Sequence, residues 1–264
     1  MFKKIVFTII IIVLHFFDKF FEKKYLITLL YHKVNDTHGS KNTVNISSFQ
    51  KQMKWLCEHG YKTLRISEVD TFLKNYSNSK RILISFDDGY QDNLVLAAPI
   101  MARYGFTGVI FIATAFIGTV GRLGNDQDKM LNEVEISRLE DFGWDICNHF
   151  HSHHKLTELQ PEQIRDEIKT SQAILRTLIR CKKNVNYFAL PYNRHNREVE
   201  KILSEYNCSF FIGDGITKRS PDSKFIQRIE ISPEDSLIKF QLKISVTHNL
   251  LKGQYYKLIN MLTS

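Results

Sequence analysis

The chain lacks most of the features that would assign it to a simple class. Its four cysteines, Cys57, Cys147, Cys181 and Cys208, show no Cys-x-x-Cys or zinc-finger spacing. Cys147 and Cys208 fall in apparent strands and read as small core residues rather than a disulfide framework. There is no internal repeat and no low-complexity linker, so 264 residues make one large domain or a small pair, with length enough for a substantial core. No apolar run reaches the roughly 20 residues of a spanning helix. Positive charge is in excess, +8 with a pI near 9.2, yet it is spread thinly. That favours anionic surfaces in general and gives no support to a nucleic-acid partner. No protein partner is implied. Hydrophobic content of 43% and charged content of 24% are ordinary for a globular protein.

What is present is concentrated in two places. Ile82-Leu83-Ile84-Ser85-Phe86 reads as a short strand buried on both faces, of the kind found in parallel sheets, and it runs into Asp87-Asp88-Gly89. Acidic side chains there must meet water, a cation or a metal, because burying them alone is too costly. The carboxyl ends of strands are where α/β folds bind ligands. An Asp-Gly pair closing a strand is also found as a plain turn. The second cluster, Trp144-Asp145-Ile146-Cys147-Asn148, is another short strand, followed by His149, His151, His153 and His154 within six residues. Two imidazoles and a carboxylate can bind a metal and leave positions free for water and substrate. A solvated His-rich loop is the simpler alternative.

Both clusters sit in an alternating pattern. Strands are expected at Leu26–Tyr31, Arg81–Phe86, Gly108–Ala113, Asn186–Leu190, Cys208–Ile212 and Phe225–Ile231. Helices are expected between them, among them one that starts at Pro161 and carries Ile164, Ile168, Leu175 and Leu178 on one face. Repeated βα units favour an α/β fold with a parallel sheet, closed or nearly closed.

Ser85-Phe86-Asp87-Asp88-Gly89 resembles the first motif of the polysaccharide deacetylases of the NodB-homology group, carbohydrate esterase family four, whose usual form is Thr/Ser-Phe-Asp-Asp-Gly. Trp144 through Leu156 resembles the second motif, a His, three residues and a second His after a Trp-containing strand. Aligning the Trp and the trailing Leu sets that pair at His149 and His153, with His151 and His154 as extras. Phe188-Ala189-Leu190-Pro191-Tyr192-Asn193 resembles the third motif, often Phe-Ala-Tyr-Pro-Tyr-Gly in one branch. Phe49 to Leu64, Gly105 to Gly118 and Asp235 to Leu242 look like that same branch, so the similarity spans about residue 25 to the C-terminus.

The resemblance implies a distorted, incomplete (β/α) barrel over residues 25–264 and a metal-dependent hydrolase. It would remove N-acetyl groups from N-acetylhexosamine units of a cell-surface polysaccharide or its lipid-linked precursor. Asp88, His149 and His153 would hold one divalent metal, with zinc expected. The metal would polarise the acetamide carbonyl and lower the pKa of water from about 15.7 toward about 7. Asp87 would act as general base, and the turn at Pro191 and Tyr192 would supply a backbone N–H for the oxyanion.

The resemblance is broken at two points. An arginine that orients the base in many relatives is replaced by Ala189, and Asn193 stands in place of glycine, which leaves the turn geometry open. Arg228 is a candidate for the missing cation, although a surface or structural role is the expected one. The usual C-terminal Leu-x-His is absent. Leu30-Tyr31-His32 offers the same pattern at the first strand, as in the permuted branch, and makes His32 the expected general acid, with a buried structural histidine as the alternative. A membrane-tethered carbohydrate-binding protein without activity is the competing function. Finally, Lys3-Lys4 and the apolar run Ile5–Phe17 make residues 1–24 an expected uncleaved signal anchor, with the catalytic domain outside the cytoplasm. A helix at the membrane surface, or packed on a cytoplasmic domain, is the alternative.

Overall fold

A computed structural model of the chain describes residues 2–36, 42–75, 80–124, 127–213, 215–220 and 223–252. Helix α1 (Phe2–Phe21) leads into strand β1 (Tyr25–Tyr31), the short strands β2 (Lys33–Val34) and β3 (Thr43–Val44), and helix α2 (Ile46–Glu58). Strand β4 (Lys62–Thr63), helix α3 (Val69–Lys74), strand β5 (Arg81–Phe86), helix α4 (Ala98–Ala102), strand β6 (Val109–Ile112) and helix α5 (Glu133–Asp141) follow. Then come β7 (Asp145–Asn148), α6 (Pro161–Leu178), β8 (Tyr187–Ala189), α7 (Arg197–Ser204), β9 (Ser209–Gly213), β10 (Thr217–Lys218), β11 (Phe225–Glu230) and α8 (Leu237–Ile244). The expected strands are all present, with no end moved by more than one residue.

Seven parallel strands close on themselves in the order β1-β11-β9-β8-β7-β6-β5, with β5 pairing back to β1. The ring is one strand short of an eight-stranded barrel and is distorted at β7–β8, where only Asn148 and Phe188 are in register. β10 extends it antiparallel to the start of β1, and β4 lies beside the start of β5.

The pleat sorts each strand into an inner and an outer row. Leu26, Leu83, Val109, Phe111, Cys147, Ala189, Phe211 and Ile226 share the barrel interior, and Leu64, Ile66, Val69, Phe72 and Leu73 plug its lower end. The alternate residues, such as Ile84, Phe86, Ile110 and Ile146, face the helices. Cys147 and Cys208 are buried and free, as expected of core thiols.

One aromatic row fixes the strand ends below the carboxylates. Phe86 stacks on Tyr31 at 5.4 Å and on Trp144 at 4.8 Å between ring centroids. Trp144 in turn lies flat against Gly108, where an added Cβ would stand 2.8 Å from the indole ring. Gly108→Ala should therefore destabilise the fold by about 1–3 kcal/mol, the usual scale of overpacking against a ring that cannot withdraw. Urea unfolding checks this; an unchanged midpoint would mean that Trp144 is free to shift.

Candidate active site

The inner rows of the barrel deliver the chemistry. Asp87 follows inward-facing Leu83 and Ser85 at even spacing, His149 follows Cys147, Arg228 follows Ile226, and His32 follows Leu30. By the pleat alone Asp88 would point away. Its φ of +76° turns its side chain back beside Asp87, and Gly89 at φ +91° completes the reversal. All five non-glycine residues with positive φ among the described residues, Asp88, Phe150, His153, Tyr192 and Asn193, lie in the three motifs. Such backbone is strained and persists only where the surroundings impose it, which is common at functional sites.

These residues meet in one cavity of about 200 Å3 at the carboxyl end of the strands, lined by His32, Asp87, Asp88, His149, His153, Tyr192, Asn193 and Glu230 among others. Of the residues expected from sequence, only Pro191 is not on its wall; it is buried in the turn that presents Tyr192. A larger cavity of about 550 Å3 lies at the opposite end among Asp70, Lys74, Lys183 and Lys224. It contains no cluster of carboxylates and imidazoles, so chemistry and not size selects the smaller one.

Asp88, His149 and His153 form the one cluster of metal-ligand type among the described residues, their ligand atoms all within 4.8 Å of one another. The Nε2 atoms of His149 and His153 stand 3.3 and 3.1 Å from Asp88 Oδ1. That oxygen is buried and accepts no hydrogen bond among the described residues. His149 Nδ1 donates to the Ala189 carbonyl at 2.8 Å, which fixes the tautomer and leaves Nε2 as a ligand. Burial would raise the Asp88 carboxyl, but the two facing imidazoles hold it well below the ordinary range. Burial likewise opposes charge on His149, whereas Asp87 and Asp88 raise its pKa. A buried carboxylate without its own cation, facing two imidazole nitrogens, fits a divalent metal ion. His151 and His154 turn away to Thr114 and Ser152, and Glu167 of α6 holds the loop through the N–H groups of His151 and Ser152, each at 2.8 Å.

Arg228 is the residue that sequence reasoning undervalued. It is not at the surface: it is 0% exposed and grips both oxygens of Asp87, Nη1 to Oδ1 at 2.6 Å and Nη2 to Oδ2 at 2.8 Å. Burial would raise the Asp87 carboxyl, and the Arg228 guanidinium outweighs it, so Asp87 is held ionised. The cation that Ala189 cannot supply comes from β11 instead. Asn193 adopts the left-handed conformation of the glycine it replaces, at φ +53°, which asparagine tolerates. Its Oδ1 accepts from Gly213 N at 2.9 Å and lies 3.5 Å from Arg228 Nη2, tying the third motif to the same pair. No local feature of the sequence set this arginine apart from an exposed one; its pairing with Asp87 arises when β11 joins the ring.

A sequence profile described as polysaccharide deacetylase matches residues 74–211, just over half of the chain. The Bacillus subtilis protein YxkH is 28% identical over 209 residues, covering 78% of this chain and 71% of that protein. The poly-beta-1,6-N-acetyl-D-glucosamine N-deacetylase of Staphylococcus aureus is 25% identical over 213 residues, 75% of this chain and 71% of the enzyme. The Streptococcus pyogenes deacetylase PplD shares the fold with a TM-score of 0.72 at 22% identity, over 83% of this chain and 98% of that one. The chain belongs to the polysaccharide deacetylase family. It is a deacetylating hydrolase that works with a divalent metal ion. His32 and Arg228 both lie outside the matched span and reach the site only through the closure of the barrel.

Two outcomes follow from this geometry. Purified protein should carry about one divalent ion per chain. His149→Ala and His153→Ala should remove most of it while His151→Ala and His154→Ala keep it, as read by elemental analysis; full occupancy in the first two would reject the triad.

Arg228→Ala should cost roughly 3–5 kcal/mol, because it leaves a buried carboxylate without a cation. The sign of its pH dependence is set by Asp87. In the wild type the depressed pKa stabilises the fold above the unfolded carboxyl range, whereas in the variant burial raises that pKa and the penalty appears there instead. The difference between the two should be largest near pH 8 and shrink toward pH 4 in denaturant melts. A loss independent of pH would mean that the side chain acts only by packing.

Proposed function

We propose that this protein hydrolyses the N-acetyl groups of N-acetylhexosamine units in a cell-surface polysaccharide or its lipid-linked precursor, with zinc held by Asp88, His149 and His153. The observation that carries this reading is a buried carboxylate facing two imidazoles, with a second carboxylate clamped beside it by Arg228. The Staphylococcus aureus relative, named for a polymer of N-acetylglucosamine, supports the choice of sugar. Zinc suits a set of two imidazole nitrogens and one carboxylate oxygen with positions left open.

A divalent ion held there supplies Lewis acidity to the acetamide carbonyl and lowers the pKa of the attacking water. Asp87, kept ionised and fixed in orientation by Arg228, accepts the water's proton. The backbone N–H of Tyr192, in the turn that follows Pro191, would stabilise the oxyanion. His32, on the same cavity wall, protonates the nitrogen as it departs, since an amine leaves far more readily than its anion. The cavity is small, so it admits the acetamido end of one sugar while Tyr192, 55% exposed, offers its ring at the rim to the rest of the glycan. Residues 1–24 would attach the protein to a membrane, with domain 25–264 outside the cytoplasm; the basic start and the apolar run after it support this placement.

Acetate release from metal-loaded protein given a panel of N- and O-acetylated glycans tests the proposal. Poly-N-acetylglucosamine or another N-acetylated polymer should be turned over. Asp87→Asn and His32→Ala should retain the ion and lose roughly 10²–10⁴-fold in turnover. A His32→Ala variant with intact turnover and a lowered Tm would make that histidine structural. No acetate from any N-acetylated glycan would overturn the function itself.

A further inference from the structure

The second half of α1 has its polar and apolar faces reversed. Asp18, the only acid of the helix, is 1% exposed, and its Oδ1 accepts from Ser245 Oγ at 3.0 Å and Thr247 N at 2.7 Å. His15 turns the same way, with Nδ1 3.0 Å from Asp18 Oδ2 and its ring 5.4 Å from that of Trp55. Leu14 packs inward beside them. The outer face consists of Ile12, Val13, Phe16, Phe17 and Phe20, with Phe16 at 58% and Phe20 at 63% exposure. The three phenylalanine rings touch edge to face, at 5.6 and 6.1 Å.

A helix packed on a globular domain in water presents the opposite pattern, apolar toward the core and polar toward solvent. Rotation cannot correct it, because turning the helix would strip a buried carboxylate of its donors. Lys19, Lys23 and Lys24 are exposed at the end of the helix, and the sequence places Lys3 and Lys4 at its start. Among the described residues no helix is long and apolar enough to cross a membrane.

We infer that α1 lies in the plane of an anionic bilayer surface, with Ile12, Val13, Phe16, Phe17 and Phe20 inserted among the lipids. This inference rests on the membrane association proposed above and specifies its mode. Aromatic and aliphatic side chains on one face with lysines at both ends match the interfacial zone and its anionic headgroups. A second copy fits less well. A two-fold pairing of antiparallel helices would bring the lysines of one end toward those of the other, and Asp18, the one acid within Phe2–Phe21, is buried and already paired inside its own chain.

The test uses the full chain and vesicles of phosphatidylcholine with and without phosphatidylglycerol. Wild type should co-float with the anionic vesicles, and Phe16→Ser/Phe20→Ser should lower binding by about tenfold or more. Activity on a soluble acetylated oligosaccharide should stay unchanged. Single cysteines at positions 13, 16 and 20, in a Cys57→Ser/Cys181→Ser background, are then labelled with an environment-sensitive dye for depth-dependent quenching. One shallow depth for all three supports an in-plane helix. A graded series spanning about 10 Å, the length of seven helical residues, would keep the membrane association and overturn the in-plane mode. A monomer that ignores vesicles would overturn both. A dimer that Phe16→Ser/Phe20→Ser splits would assign the face to a second copy.

Discussion

The contact between Arg228 and Asp87 reaches from the last strand of the barrel to the end of β5, across 141 residues of sequence, and lies wholly inside the fold. Two charges out of water are expensive, and only two short parallel hydrogen bonds make the pair tolerable. Much of the surrounding structure accommodates it. Ala189 leaves the interior volume that a larger side chain would fill. Phe111 lies below the guanidinium at 5.5 Å. Gly213 must lack a side chain, because a Cβ there would come within 2.8 Å of Asn193 Nδ2. Asn193 then links the pair to the turn that carries Tyr192.

The division of labour proposed for the two aspartates rests on this contact. Asp87 has its cation in the protein and would be left with proton chemistry. Asp88 faces two imidazole nitrogens and would be left with the metal. The difference between neighbours in sequence is produced by one backbone angle, φ +76° at Asp88, which brings onto the same side two carboxylates that the pleat would separate. Such an angle is costly for aspartate, and the aromatic row Tyr31–Phe86–Trp144 directly beneath it holds the strand ends that enforce it.

Function and fold thus share the same end of the barrel. The lower end is plugged by side chains of α3 and the segment before it, and Asp145 ties that segment down by accepting from Arg65 Nε at 3.0 Å and Ile66 N at 2.8 Å. The upper end is left polar, small and strained. The cavity there is lined by Tyr192, 55% exposed, and by His32, while Arg228 lies behind Asp87; His32 and Arg228 come from opposite ends of the chain.

Much of this could be read in the sequence before any coordinates. Apolar β-branched runs ending in Asp87-Asp88-Gly89 and in His149 declare short buried strands with chemistry at their carboxyl ends, because hydrophobic period and turn residues are local properties. The choice of His149 and His153 over His151 and His154 came from motif spacing, and the fold groups the first two with Asp88 and sets the other two against Thr114 and Ser152. The role of Arg228 was not legible. Nothing local distinguishes a buried arginine in a strand from an exposed one until the ring β1-β11-β9-β8-β7-β6-β5 closes and sets its inner row against Asp87. The same holds for Asn193, whose fitness for a glycine position depends on its backbone angle, and for α1, whose composition shows apolarity but not which face is turned outward. Sequence by itself determined the strands, the ligand types and the reaction class, since these depend on neighbours a few residues away. Tertiary structure alone decided which charges are matched, because burial and pairing arise only when distant strands meet.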